Sequence, residues 1–234
     1  MGIGKTRLKY ACLLTSLVIC ALLLAGRLVY LFVDDAQRFP INTVKITASY
    51  QHITRKQLET ILSHYLDKSF FSLSTGHLCA DLAALDWAEQ ARIQRVWPDT
   101  LKITLVEKSP VATWNSSLIT QDGTVFNVGK QQPDTSLPRL SGPINHQLDV
   151  LQIYQKLSKL LAMYGLHAVS LRLRENQAWE LSLSNGIQLH LGKQELEQRL
   201  RRFCKAYPAV FADKTRQIAD VDLRYAHGMA VRWK

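Results

Sequence analysis

The residues that could do chemistry lie in patterns that do not complete a site. Gly2-Ile3-Gly4-Lys5-Thr6 has the ending of a phosphate-binding loop, but the earlier glycine of such a loop would precede Met1 and no strand can lead into it. Seven histidines are spread over positions 52, 64, 77, 146, 167, 190 and 227, without His-Glu-x-x-His or Cys-x-x-Cys spacing to gather a zinc ion. A Gly-x-Ser-x-Gly nucleophile elbow is also missing. Asn115-Ser116-Ser117 is a formal glycosylation sequon that occurs by chance unless the chain enters a eukaryotic secretory route.

Trp97-Pro98-Asp99 is similar to the acid loop of tyrosine phosphatases, whose thiolate nucleophile needs an arginine six positions on. Six positions beyond Cys12, Cys20, Cys79 and Cys204 stand Val18, Gly26, Leu85 and Val210, so that site is not formed. Pro98-Asp99 reads instead as the turn of a hairpin. With no nucleophile, metal set or cofactor loop assembled, the expectation is a binding protein without catalytic residues, metal or cofactor. Cys79 and Cys204 fall far apart on separate expected helices, which predicts two buried thiols and no disulfide framework.

A membrane segment comes before everything else in the chain. Ala11–Val33 carries one charge, Arg27, and crossing the bilayer core takes about 20 apolar residues. Arg27 lies about 9 Å from the end of that run at 1.5 Å per residue, within snorkelling reach of the interface. Lys5, Arg7 and Lys9 precede the segment and Asp34 and Asp35 follow it, which predicts residues 1–10 as a cytoplasmic tail and the remainder outside. A cleaved signal peptide fits less well, because cleavage after Ala25 would set Leu23 where a small residue is wanted and the apolar run continues through Leu28–Val33. All 19 acidic residues and all but four of the 29 basic ones follow position 33, so the exterior is basic, suiting anionic surroundings or plain solubility.

Beyond the span the expected fold is α+β in two parts. Residues 40–108 read β-α-α-β-β: a strand over Ile41–Ala48, a helix opened by the capping box Thr54-Arg55-Lys56-Gln57 with Leu58, Ile61, Leu62 and Tyr65 on one face, a second helix over Ser74–Leu85, and strands Ala88–Trp97 and Thr100–Lys108. Ser109-Pro110 marks a boundary, and residues 109–234 read as strand-rich with two helices. Asp122-Gly123 is expected to join Ser117–Thr120 to Thr124–Val128, and Asn185-Gly186 to join the alternating runs around Leu181 and Leu189. Apolar stripes predict helices over Gln147–Tyr164 and Lys193–Tyr207, and the chain finishes with strands Ile218–Tyr225 and Gly228–Trp233.

Several segments then resemble one family in shared order and spacing. They are Phe39-Pro40, Arg95-Val96-Trp97-Pro98-Asp99-Thr100-Leu101-Lys102-Ile103, Val106–Asn115, Asp122-Gly123, Leu137-Pro138, Trp179–Leu183 and Val221–Tyr225. The chain resembles the FtsQ/DivIB family of bitopic bacterial division proteins, and residues 40–108 would be its POTRA domain. The resemblance implies an inner-membrane assembly scaffold at the division septum. Its periplasmic part would bind FtsB- and FtsL-like bitopic proteins and help control septal peptidoglycan synthesis. It implies partner contacts at Arg224, Tyr225, His227 and Gly228 and strand addition along Met229, Ala230, Val231, Arg232 and Trp233. His227 stands where a small hydroxyl residue is common in the family. The family's partner-facing arginine aligns with Asn176, leaving Arg174 or Arg172 as substitutes. Trp97, Pro98 and Asp99 are the POTRA motif, expected to shape the hairpin near a surface used for localisation.

Two other readings fit the sequence less well. A periplasmic wall enzyme suits the basic exterior but needs a paired acid and base. A POTRA-containing export factor needs a following β-barrel, for which the residues after 108, with their two helices, leave no room.

Overall fold

The computed structural model describes residues 3–127, 136–210 and 218–234, with side chains from Thr15 onward. It divides into two compact units, Met1–Glu107 and Lys108–Lys234.

The first unit opens with helix α1, Ile3–Asp34. Its segment Thr15–Asp34 is long and apolar enough to cross a membrane, and none of it is buried against protein. The side chains of Lys5, Arg7, Lys9 and Cys12 lie outside the described residues. Then come β1 (Thr43–Thr47), α2 (Arg55–Leu66), α3 (Thr75–Ala83), β2 (Ala88–Val96) and β3 (Thr100–Glu107), giving the expected β-α-α-β-β order. The capping box forms: Gln57 N–H donates to Thr54 Oγ1 and Thr54 N–H donates to Gln57 Oε1 at 2.8 Å, satisfying two donors that the helix start leaves over. Ser74 caps α3 by a single bond, accepting the N–H of His77 at its Oγ.

The sheet order is β1-β3-β2, with β1 parallel and β2 antiparallel to β3. The central strand buries Leu101, Ile103 and Leu105, and the helices bury Leu58, Leu62, Leu78 and Leu82. Glu107 ends β3 as a buried carboxylate. It accepts the N–H groups of Gln51, His52 and Ile53, which close the loop into α2, and the His52 ring stacks on Trp87 at 3.5 Å. Burial opposes its charge, but the His52 and Ile53 N–H groups outweigh that and hold its carboxyl below the usual range. Cys79 departs from expectation: it is half-buried, donating to Ala91 O at 3.2 Å, because α3 sets it at the margin facing β2 and not beneath it.

The second unit runs β4 (Pro110–Trp114), β5 (Ser117–Thr120), β6 (Val125–Phe126), β7 (Arg139–Ser141), α4 (Gln147–Ala162), β8 (Ala168–Leu173), β9 (Trp179–Leu183), β10 (Gln188–Gly192), α5 (Leu196–Val210), β11 (Ile218–Asp222) and β12 (Ala230–Trp233). Val128, the expected end of β6, lies outside the described residues. Both dipeptide turns join antiparallel pairs, β5–β6 and β9–β10, and Gly186 at φ +87° supplies the left-handed backbone that the second requires.

One sheet results, ordered β12-β11-β10-β9-β8-β7-β4-β5-β6. Pairs β7–β8 and β10–β11 are parallel, and each is bridged by a helix, α4 and α5, since a parallel connection must travel back the length of a strand. Val150, Leu157 and Leu161 of α4 and Leu200 and Phe203 of α5 are buried on Leu171, Leu181, Leu189 and Val221. Cys204 is fully buried there, and burial pushes its thiol up to about 11, so it stays protonated and inert.

Candidate partner-docking edge

Strand β12 is one end of the nine-stranded sheet, and among the described residues nothing pairs with its outer side. The opposite end, β6, is only Val125–Phe126. An unpaired strand edge offers N–H and C=O groups to another chain.

Which groups point outward follows from the register. Leu223 N–H donates to His190 O at 2.9 Å, so odd-numbered residues of β11 turn their backbone groups to β10. Asp220 and Asp222 therefore turn theirs to β12, where they stand opposite Arg232 and Ala230. Pairs along an antiparallel ladder alternate between bonded and non-bonded, which makes Val221–Val231 the non-bonded pair. The N–H and C=O of Val231 thus face the open side. Its side chain, with that of Met229, packs on the core, which fixes the strand.

The strands beside the turn stop sooner than expected. Arg224 N–H is taken by the Asp222 carboxylate at 3.0 Å, and Arg202 of α5 donates to the carbonyls of Leu223, Tyr225 and Ala226. These bonds remove ladder groups, so β11 ends at Asp222 and His227, Gly228 and Met229 lie before β12 and not within it. The turn so pinned presents Tyr225 at 57% exposure, and Trp233 at the far end of β12 is 47% exposed.

The sheet face away from the helices carries charge across the strands. Arg232 pairs with Asp220, His190 lies 3.9 Å from Asp220 and 3.3 Å from Glu180, and Glu180 holds Arg174 at 2.9 Å. Arg224 grips Asp222 through Nε at 2.9 Å and through Nη2 at 2.6 Å. That side-chain bond holds the Asp222 carboxyl below its usual range against partial burial, and Arg224 is raised in return. Gly192, at φ +79°, makes this close packing possible, because a Cβ there would meet Arg199 and come within 3.1 Å of Arg224. A groove results, lined by Arg174, Asn176, Glu180, His190, Arg224 and Arg232 among others.

The sequence-named residues therefore distribute unevenly. Arg174, Arg224, and β12 with Arg232 share the groove and edge. Tyr225, His227 and Gly228 form the exposed approach to it. Arg172 lies outside the groove lining, bonded through Nε to Ser141 at 3.4 Å, and Asn176 spends its side-chain oxygen on Ala178 N–H. Trp97, Pro98 and Asp99 belong to the other unit, where Asp99 accepts from Asn42 Nδ2 at 2.8 Å and ties the β2–β3 turn to the start of β1. Sequence reading missed Glu180, His190, Asp220, Asp222 and Arg202. The only signal was their place at polar positions of alternating strands and of α5.

Chemically the arrangement offers hydrogen bonds and guanidinium charge. Among the described residues no three histidines, cysteines or acids are gathered for a metal.

Comparison with known proteins agrees with the architecture. Residues 39–108 match the family model of the POTRA domain, FtsQ-type, and residues 112–224 match that of the cell division protein FtsQ/DivIB C-terminal domain, which stops short of β12. The cell division protein FtsQ of Coxiella burnetii is 33% identical over 213 residues, covering 91% of this chain and 86% of that protein. FtsQ of Shewanella oneidensis is 36% identical, covering 93% and 83%, and FtsQ of Vibrio cholerae is 32% identical, covering 93% and 85%. An apolar N-terminal helix, a POTRA domain and a strand-rich second unit, matched along most of the length of these relatives, make this chain a member of the FtsQ/DivIB family of cell division proteins.

Proposed function

We propose that this chain is a non-catalytic assembly component of the division machinery. It is held in the inner membrane by α1 with its N-terminus in the cytoplasm, and it takes a partner strand onto β12 at the septum. The partners on this reading are FtsB- and FtsL-like bitopic proteins, through which it would bear on septal peptidoglycan synthesis. The single observation that carries it is the open edge of β12, flanked by a pinned turn with Tyr225 and by three arginines already oriented by Glu180, Asp220 and Asp222. Strand addition takes affinity from main-chain hydrogen bonds and specificity from neighbouring side chains. Exposed arginines beside the edge suit an acidic partner segment.

Amide hydrogen exchange of the full chain in detergent micelles, with and without the exterior part of an FtsB-like protein, tests this. The N–H of Val231 should gain protection on binding, whereas those of Ala230 and Arg232, already bonded to β11, should change little. Among the described residues the three-stranded sheet also has edge strands, β1 and the longer β2, which carries Glu89, Arg92 and Arg95. Protection appearing on β2 and not on β12 would move the docking site there.

A further inference from the structure

Trp97 is the most exposed aromatic among the described side chains, at 69%, and Val96 beside it is 45% exposed. A hairpin tip in water has no need of either. Their surroundings explain them. Trp97 packs edge-on against Phe71 at 5.2 Å, Phe71 against Phe39 at 5.0 Å, and Phe39 against Phe32 at 5.8 Å. Phe32 lies in the last turn of α1, so a continuous row of rings runs from the end of the apolar helix to the tip of the β2–β3 hairpin.

The row is fixed at several points. Ser69 Oγ donates to Val33 O at 2.7 Å, Phe70 N–H donates to Phe39 O at 2.8 Å, and Arg95 donates to the carbonyls of Phe71 and Leu73. Arg38 lies over the Phe32 ring at 4.5 Å while paired with Asp35. Asp99, the acid nearest the tip, is turned back onto Asn42 and Thr100. Aromatic rings with arginines beside them, joined in one row to the end of a span, have the composition of the membrane–water interface, where tryptophan is enriched.

We propose that the Val96-Trp97 tip rests in the headgroup zone of the outer face of the bilayer, a second and non-covalent membrane contact that fixes the tilt of the POTRA domain against α1. The partner is phospholipid, chosen over protein because the ring row is continuous with the span. This rests on α1 crossing the membrane.

The test uses the full chain in vesicles of phosphatidylethanolamine and phosphatidylglycerol brominated on upper acyl carbons. Trp87, Trp114 and Trp179 are buried, leaving Trp97 and Trp233 as the indoles able to reach lipid. Bromine should quench part of the parent's emission. Most of that quenchable share should be lost in Trp97→Tyr and kept in Trp233→Phe. Val96→Trp adds an indole at the tip and should raise the quenchable share, so the test survives a misfolded Trp97 variant. Equal quenching in the parent and folded Trp97→Tyr overturns the proposal, as does no rise in Val96→Trp. Shielding of Trp97 from an aqueous quencher only after a second division protein is added also overturns it and makes the tip a protein-docking surface. Alkaline carbonate extraction separates the two readings: a chain that washes off refutes the span as well, whereas a retained chain without Trp97-dependent quenching refutes the tip contact alone.

Discussion

Replacing Val231 with proline should weaken partner binding while leaving the fold in place, and the register of β12 says why. The N–H of Val231 points to the open side, so proline there takes nothing from the β11–β12 ladder. In a complex it would remove one main-chain hydrogen bond, worth about 1 kcal/mol net, and strand a partner carbonyl at a further cost of about 1–3 kcal/mol. A loss of at least about 2 kcal/mol, roughly 30-fold or more in Kd, is expected. Val231→Ala keeps the N–H and loses only part of a half-buried side chain, so it should bind within a few-fold of the parent. Ala230→Pro removes a bond to Asp222 inside the ladder and should lower the melting temperature first. The assay is a binding titration against the exterior part of an FtsB-like protein, with circular dichroism to confirm folding. A folded Val231→Pro that binds as the parent does, or a Val231→Ala that loses as much, would refute strand addition at this edge.

Tyr225→Ala should cost on the order of 2 kcal/mol of binding if the ring is an anchor, and Arg202→Ala should weaken binding too, by freeing the turn that presents Tyr225; calorimetric titration of both variants distinguishes the contact from its support. Glu107→Gln should destabilise the first unit by about 2 kcal/mol, because an amide cannot accept as the carboxylate does. The folded pKa of Glu107 lies below its unfolded value, so its contribution is present above about pH 4.3 and is lost as pH falls through the folded value; denaturation followed from neutral to acid pH should show a shallower decline in the variant. Exchanging Lys5, Arg7 and Lys9 for glutamate should reduce export of residues 34–234, read with a C-terminal reporter whose unchanged periplasmic signal would show that these residues do not set topology.

The local elements were legible because each carries its own signal. Thr54 and Gln57 specify a helix start, Asn185-Gly186 specifies a hairpin, and the spacing of Val150, Leu157 and Leu161 specifies a helical face. The short strands β4 and β7 have no such signal: Arg139–Ser141 is only three residues long, and it becomes a strand through parallel pairing with β4 and β8. Parallel pairing is long-range and leaves no turn dipeptide in the sequence, so the order of the nine strands could not be read from hairpins. Cys79 was misplaced for a related reason. Its helix was legible, but how far the α3 face extends over β2 depends on packing.

The site divides along the same line. The family resemblance points to Met229–Trp233 as a docking strand, but only the register tells that Val231 and not Ala230 faces outward, since a shift of one residue would exchange them. The arginines show the difference more sharply. Arg224 and Asp222 lie two apart, so their pairing was within reach of the sequence, whereas Glu180, His190, Asp220 and Arg232 come from β9, β10, β11 and β12, with Arg174 in the turn before β9, and they meet only when those strands assemble. That dependence has a physical use. Each arginine is held by an acid before any partner arrives, which lowers the side-chain entropy still to be lost on binding, at roughly 0.5–1.5 kcal/mol per long side chain. If the proposed docking holds, Asp220 and Glu180 would matter to it without touching the partner. Asp220→Asn would free Arg232 and remove one negative charge while leaving the main-chain groups of β12 in place; a binding titration at high salt, where the charge change is screened, should still show a loss of affinity.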